Sequence, residues 1–145
     1  MQQTNEFDPL RSILDWFRIA NVNQSLNKNV QYGCHLEEVS EMAQVLTPAI
    51  ENTLKEQADA YKKGQQTLPE LTAVQRQDVL DSLCDQIVTA VGTAYLLNMD
   101  IYGAMQEVCR SNHSKFEDGK AVFDEHGKIR KGKNYVKPDL SLFIK

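Results

Sequence analysis

Two rows of carboxylates hold the residues of this chain best suited to chemistry. Glu37, Glu38 and Glu41 fall in HLEEVSEM, and Asp78, Asp81 and Asp85 fall in DVLDSLCD on a later apolar stretch. An α-helix puts residues three or four apart on one side, so each set forms a row along a helix face. Glu38 lies inside an apolar stripe made by Leu36, Val39, Met42, Ala43, Val45, Leu46 and Ile50, with Glu41 at its edge and Glu37 beyond. Asp81 borders a second stripe made by Leu80, Leu83, Cys84, Ile87, Val88, Val91 and Ala94, and Asp85 stands slightly further out. Carboxylates at the edge of a core must be hydrated, protonated or neutralised, because an isolated buried charge is too costly to keep. A divalent cation supplies that neutralisation. Oxygen ligands without His or Cys favour a hard ion, and Mg²⁺ combines a few carboxylates with waters and substrate phosphates. The pattern points to phosphate chemistry; the plain alternative is acidic residues that simply face water.

The elements that must position these rows read as helices. Asp8 before Pro9 is a helix start, and the first helix runs over LRSILDWFRIANV. Residues 21–29 are polar and Asn-rich, a loop or a ragged helix end. A long second helix is expected from Gln31 to Lys63, bent at Pro48, and KKGQQTLPE then supplies a Gly stop, a turn and a Pro start. A third helix covers Pro69 to Asn98 and a fourth Ile101 to His113. Four helices on short connections predict an all-α antiparallel bundle. After them AVFDEHGKIRKG carries two β-leaning runs, Ala121–Phe123 and Lys128–Arg130, around a turn with Gly127, which predicts a small hairpin followed by an extended tail. With no repeat or linker, the reading is one domain over 1–145: a helical core at about 8–115, then hairpin and tail at about 120–145.

Composition narrows the function classes. A chain of 145 residues with 41% hydrophobic content suits one domain that folds without disulfides. A net charge of -4 provides no positive field to gather nucleic acid or an anionic membrane, so neither is expected as a partner. The basic stretch from Lys128 to Lys137, with Arg130, Lys131 and Lys133, is a local feature. Cys34, Cys84 and Cys109 are widely spaced and form no CxxC, which predicts small core residues in a reducing compartment. MQQTNEFDPL has neither a positive start nor an apolar run of signal length, so a cytoplasmic location is expected.

These residues carry a family resemblance. EExxE (Glu37, Glu38, Glu41), with an acidic row on the next helix, resembles the MazG-like all-α NTP pyrophosphohydrolase superfamily, whose pattern is ExxE followed by ExxD. DSLCDQIVTAVGTAYLLNMDIYGAMQEVCRSNHSKF and the tail GKIRKGKNYVKPDL are similar to members described as MazG-like or phosphoribosyl-ATP pyrophosphohydrolase-like, so the likeness covers about Gln31 to Leu140. The resemblance implies that Glu38, Glu41 and Asp85 are metal ligands. Where the family has Glu three residues before that Asp, this chain has Ser82; the adjacent Asp81 projects to the same side and is the substitute ligand. Asn112 and Lys115, in RSNHSKF, resemble the Asn and Lys that contact phosphates, at a spacing one residue longer than the common NxKF. His35 and His113 are bystanders in that scheme.

The expected activity is Mg²⁺-dependent hydrolysis of a nucleoside triphosphate to monophosphate and pyrophosphate, with Mn²⁺ as a substitute metal and nucleotide-pool house-cleaning as the role. Glu37 or Glu38 would serve as general base, its proton affinity raised by neighbouring carboxylates. Trp16 and Phe17 would stack on the base, or instead belong to the core with Ile13, Leu14 and Ala20. Two other classes compete: a non-catalytic nucleotide sensor, which the Ser82 departure favours, and a helical interaction module binding a basic partner. The broad apolar stripes and the resemblance both imply a homodimer or homotetramer.

Overall fold

The computed structural model describes residues 6–145; the first five, which form part of the amino terminus read above, lie outside it. The described residues are mostly helical: α1 Pro9–Ala20, α2 Lys28–Leu46, α3 Glu51–Lys62, α4 Ala73–Leu96 and α5 Ile101–His113. A two-stranded antiparallel sheet follows, β1 Val122–Phe123 and β2 Ile129–Arg130. Four of the helix starts have side-chain caps. Asp8 accepts from Arg11 N at 3.0 Å with Pro9 in the first position. Asn27 accepts from Asn29 N at 2.8 Å, and Asp100 from Gly103 N at 3.0 Å. Thr72 and Gln75 form a reciprocal capping box at 3.2 and 2.9 Å. This box starts α4 at Ala73, four residues later than the expected Pro69.

The expected long second helix is two helices. Pro48 has no N–H to continue the ladder, and the residue before a proline is driven out of the α region; Thr47 accordingly sits at φ −148°. A 3₁₀ turn over Pro48–Ile50 follows, and α3 folds back antiparallel on α2. The seam is lined by small residues: Ser40, Ala43 and Ala58 are buried, and the Ser40 hydroxyl donates to the Glu51 carbonyl at 3.2 Å. Gly33 lies where a Cβ would stand 2.8 Å from the Ala58 carbonyl oxygen and 2.7 Å from Lys62 Cγ.

The described chain does not close the expected four-helix bundle by itself. α1 packs on α5 and α3 on α2, while α4 makes a short contact with α5 and a shallow one with α2. There Tyr32, His35, Leu36 and Val39 face Asp78, Val79, Ser82 and Gln86, with His35 Nε2 and Gln86 Oε1 2.7 Å apart. The two apolar stripes read as core are therefore largely uncovered. Met42, Val45, Leu46 and Ile50 are exposed, as are Leu80, Leu83, Ile87, Val88 and Val91. Of the cysteines expected in the core, Cys109 is buried, Cys34 half-buried and Cys84 exposed.

The hairpin forms as expected, with Val122 opposite Arg130 and Phe123 opposite Ile129. Asp124 accepts from the N–H groups of His126 and Lys128, both at 2.9 Å, and Gly127 supplies the φ of +80° that the turn requires. The tail is strapped along α5: Ser111 Oγ donates to the Val136 carbonyl at 2.8 Å, and Asp100 N donates to the Phe143 carbonyl at 2.7 Å. Replacing Gly33 by Ala should destabilise the chain by about 1–3 kcal/mol, because the seam has no room for a methyl group and its nearest neighbours include backbone. Urea denaturation followed by circular dichroism measures this; an unchanged midpoint would mean that α2 and α3 separate without strain.

Candidate functional site

Four segments converge on one cavity of about 280 Å³. α1 contributes Ser12, Ile13, Trp16 and Phe17. α2 contributes Val30, Gln31, Cys34, His35 and Glu38, preceded by Leu26 and Asn27. The end of α5 brings Cys109, Asn112 and His113, with Lys115 just after it, and the hairpin brings Gly127, Lys128 and Ile129. One side is thus aromatic and aliphatic, and the other holds a carboxylate, an amide and two ammonium groups.

Trp16 packs within the protein and also lines the cavity. Its indole N–H donates to the Asn112 carbonyl at 2.8 Å, and its ring stacks on Phe116 with centroids 5.6 Å apart and 11° between planes. These contacts fix the ring as part of the wall it presents to the cavity. Lys115 Nζ stands 5.7 Å from the Trp16 centroid, within cation–π range. The position of Lys115 is also set by its own backbone, whose carbonyl accepts from Gly132 N at 3.0 Å.

Charge is divided sharply between the two adjacent glutamates. Burial raises the proton affinity of Glu37, but Lys128 and Lys62 outweigh it: each donates to this carboxylate at 2.6 Å, and together they hold it below the usual range. Glu37 therefore lacks the raised affinity on which its role as a base was argued. Glu38 has it. Burial, then the charges of Glu41 and Glu37, push its carboxyl up. Burial also pushes the Lys115 ammonium down, with Lys131 and Lys128 adding to the effect against Tyr135 and Glu38. The Cys34 thiol, in the same wall, is raised by burial.

The structure gathers Glu38, Trp16, Asn112 and Lys115 around the cavity and leaves the other expected site residues elsewhere. Glu41 and Glu37 line a separate groove between α2 and α3, beside Glu51, Asp59, Lys55 and Lys62. Asp81 and Asp85 are exposed on α4. Among the described residues no three His, Cys, Asp or Glu side chains converge to hold a metal, so the carboxylate rows of a single chain do not fit the Mg²⁺ site that the resemblance implies. Lys128 was read only as part of a basic stretch, and its place in the wall depends on the hairpin folding back onto α2. Glu56 and Asp59, three apart on α3, are a further carboxylate pair with i, i+3 spacing; Asp59 is taken up by Lys62 at 3.3 Å and Lys63 at 3.9 Å.

Comparison with known proteins adds no relative. No protein-family model, no curated protein and no solved structure matches the chain. No helix among the described residues is long and apolar enough to cross a membrane.

The Glu37 brace has a definite pH signature. Its folded-state affinity is lowered, so its contribution to stability is complete above the ordinary carboxylate value of about 4.3 and is lost as pH falls through the lower folded value. Lys62 is shifted up, Glu37 and Asp59 overcoming burial, so its contribution holds below the ordinary lysine value and is lost as pH rises through the higher folded one. Glu37→Gln should cost about 1 kcal/mol at pH 7 and progressively less below pH about 4. Denaturation midpoints of the wild type and variant across that range measure it, and a pH-independent difference would exclude the ion pair as the cause.

Proposed function

We propose that this chain is a nucleoside triphosphate pyrophosphohydrolase whose substrate enters the cavity bounded by Trp16, Glu38, Asn112 and Lys115. The observation that carries the reading is that these four residues, singled out from three separate stretches of sequence, line one space. A base lies against the Trp16 and Phe17 wall, and the phosphates reach the side with Lys115 and Lys128. Both ammonium groups offset phosphate charge as point cations, and Asn112 hydrogen-bonds sugar or phosphate. Glu38 accepts the proton of the water that attacks the α-phosphorus, and pyrophosphate departs. Its raised affinity suits that role, since a base must gain its proton near working pH.

The metal stands apart in this reading. Dependence on Mg²⁺, or on Mn²⁺ in its place, comes from the resemblance. Because Glu38, Glu41, Asp81 and Asp85 do not converge within one chain, the roles given above are those of the chain's own groups. The same observation favours the second reading, a nucleotide sensor that uses the cavity without turnover. A house-cleaning role, a cytoplasmic location and self-association into dimers or tetramers complete the proposal.

Pyrophosphate release from a panel of NTPs and dNTPs, with Mg²⁺, with Mn²⁺ and with chelator, tests it. Metal-dependent release with a monophosphate product is expected, and Glu38→Gln should lower the rate by about 10²-fold or more. The wild-type rate should fall as pH drops through the raised Glu38 affinity, since only the ionised carboxylate accepts a proton, and this limb should flatten in the variant. Lys115→Ala should weaken substrate binding. Saturable nucleotide binding without release on any substrate would replace hydrolysis with the sensor reading.

A further inference from the structure

The tail after the hairpin is fastened to the segment that carries Lys115. Gly132 N donates to the Lys115 carbonyl at 3.0 Å, Lys133 N to Glu117 Oε1 at 2.7 Å and Val136 N to Ser114 Oγ at 2.8 Å. The buried Ser111 hydroxyl donates in turn to the Val136 carbonyl. A Cβ on Gly132 would stand 2.5 Å from the Lys115 carbonyl oxygen, so this approach depends on a glycine. Tyr135 N donates to the Gly132 carbonyl at 3.2 Å, and the turn it closes folds the Tyr135 ring back against Lys131, whose Nζ lies 4.9 Å from the ring centroid.

We propose that Lys131, seated on the Tyr135 ring, binds the outermost phosphate of the substrate and makes the site prefer a triphosphate to shorter phosphate chains, which rests on the nucleotide reading of the cavity given above. The first support is room. Pockets that enclose a drug-sized ligand run to roughly 300–1,000 Å³, whereas this cavity has about 280 Å³. With a base against Trp16 the nucleoside fills it, and the far end of the phosphate chain projects past Lys115 and Lys128. Lys131 is exposed and stands beyond the lining, next to the glycine that is bonded to Lys115.

The second support is pairing. Lys128 is neutralised by Glu37 at 2.6 Å, whereas among the described residues neither Lys115 nor Lys131 has a carboxylate oxygen within 4.0 Å. The third is mutual repulsion. Burial lowers the Lys115 ammonium first; Tyr135 and Glu38 oppose this, and Lys131 and Lys128 add to it, so the ammonium groups stand close enough to act on one another. Like charges gathered without a carboxylate to separate them are relieved by a bound anion, and a phosphate is the anion that the cavity presents to them. The Tyr135 face holds the Lys131 stem in place beforehand, which reduces the ordering cost of that contact. Cleavage at the α-phosphorus then leaves a monophosphate that no longer reaches Lys131, so the contact distinguishes substrate from nucleotide product.

Calorimetric titration of the full chain with inorganic tripolyphosphate and with pyrophosphate, in chelator so that no turnover intervenes, tests the assignment. Lys131→Ala should weaken tripolyphosphate about 3–10-fold and pyrophosphate less than about twofold, with helical circular dichroism retained because Lys131 is exposed. Its affinity for tripolyphosphate should also fall less steeply with added salt. Lys131→Arg should restore binding, and Tyr135→Phe, which keeps the ring face, should bind as the wild type does, while Tyr135→Leu should lie between. Lys133→Ala removes the same charge two residues away and should change neither constant by more than about twofold. Equal losses for the two anions, an equal effect of Lys133→Ala, or a wild type that takes up no tripolyphosphate at millimolar concentration would overturn the proposal. Lys115→Ala separates this assignment from the reading beneath it. If Lys115→Ala weakens both anions and Lys131→Ala neither, the cavity reading stands and Lys131 is excluded; if neither variant alters binding, the phosphate end of the cavity is excluded with it.

Discussion

The close approach of α2 and α3 governs what every other residue of α2 can do. With Gly33, Ser40, Ala43 and Ala58 in the seam, the two backbones come together without large side chains between them, and the rotation of α2 about its axis is fixed. That rotation sends three residue sets in three directions. Ser40 and Ala43 point at α3, Cys34 and Glu38 at the cavity, and Leu36 and Val39 at α4. A larger residue in the seam would turn Glu38 as much as it would weaken the hairpin.

Glu37 ties this seam to the rest of the molecule. One oxygen accepts from Lys62 at the end of α3 and the other from Lys128 in the β-hairpin. A single carboxylate thus joins three elements that are distant in the chain, and it carries the hairpin turn to the rim of the cavity. The neighbouring position has the opposite fate: Glu38 is partly buried, sits beside two other carboxylates and has no lysine within hydrogen-bonding range, so burial first and then those charges raise its proton affinity. Two adjacent glutamates with divergent affinities form the pattern that separates a structural anion from a group able to accept protons.

Much of this arrangement was legible in the sequence, and the failures have physical causes. Capping chemistry is local, so Asp8–Pro9 marked α1, and Gly127 among polar residues marked the hairpin turn. Glu38 inside an apolar stripe was legible as a half-buried carboxylate. Pro48 reads as a bend in the sequence, because periodicity continues across it and cannot tell a kinked helix from two helices folded together. The role of Lys128 was hidden, since its partners lie 66 and 91 residues away in the chain, at Lys62 through Glu37 and at Glu37 itself. That each acidic set forms a row rests on helix faces alone, and a face carries no information about what covers it.

The same point applies to α4, whose apolar stripe is legible in the sequence and is largely exposed in the structure. Amphipathic periodicity records that a surface is to be removed from water and is silent about the covering partner. Within the chain, α1 is engaged with α5 and α3 with α2, and what remains of α2 spans only the first half of α4. α5 meets the end of α4, where Ala94 is buried, and Ile87, Val88, Val91, Tyr95 and Leu96 stay exposed.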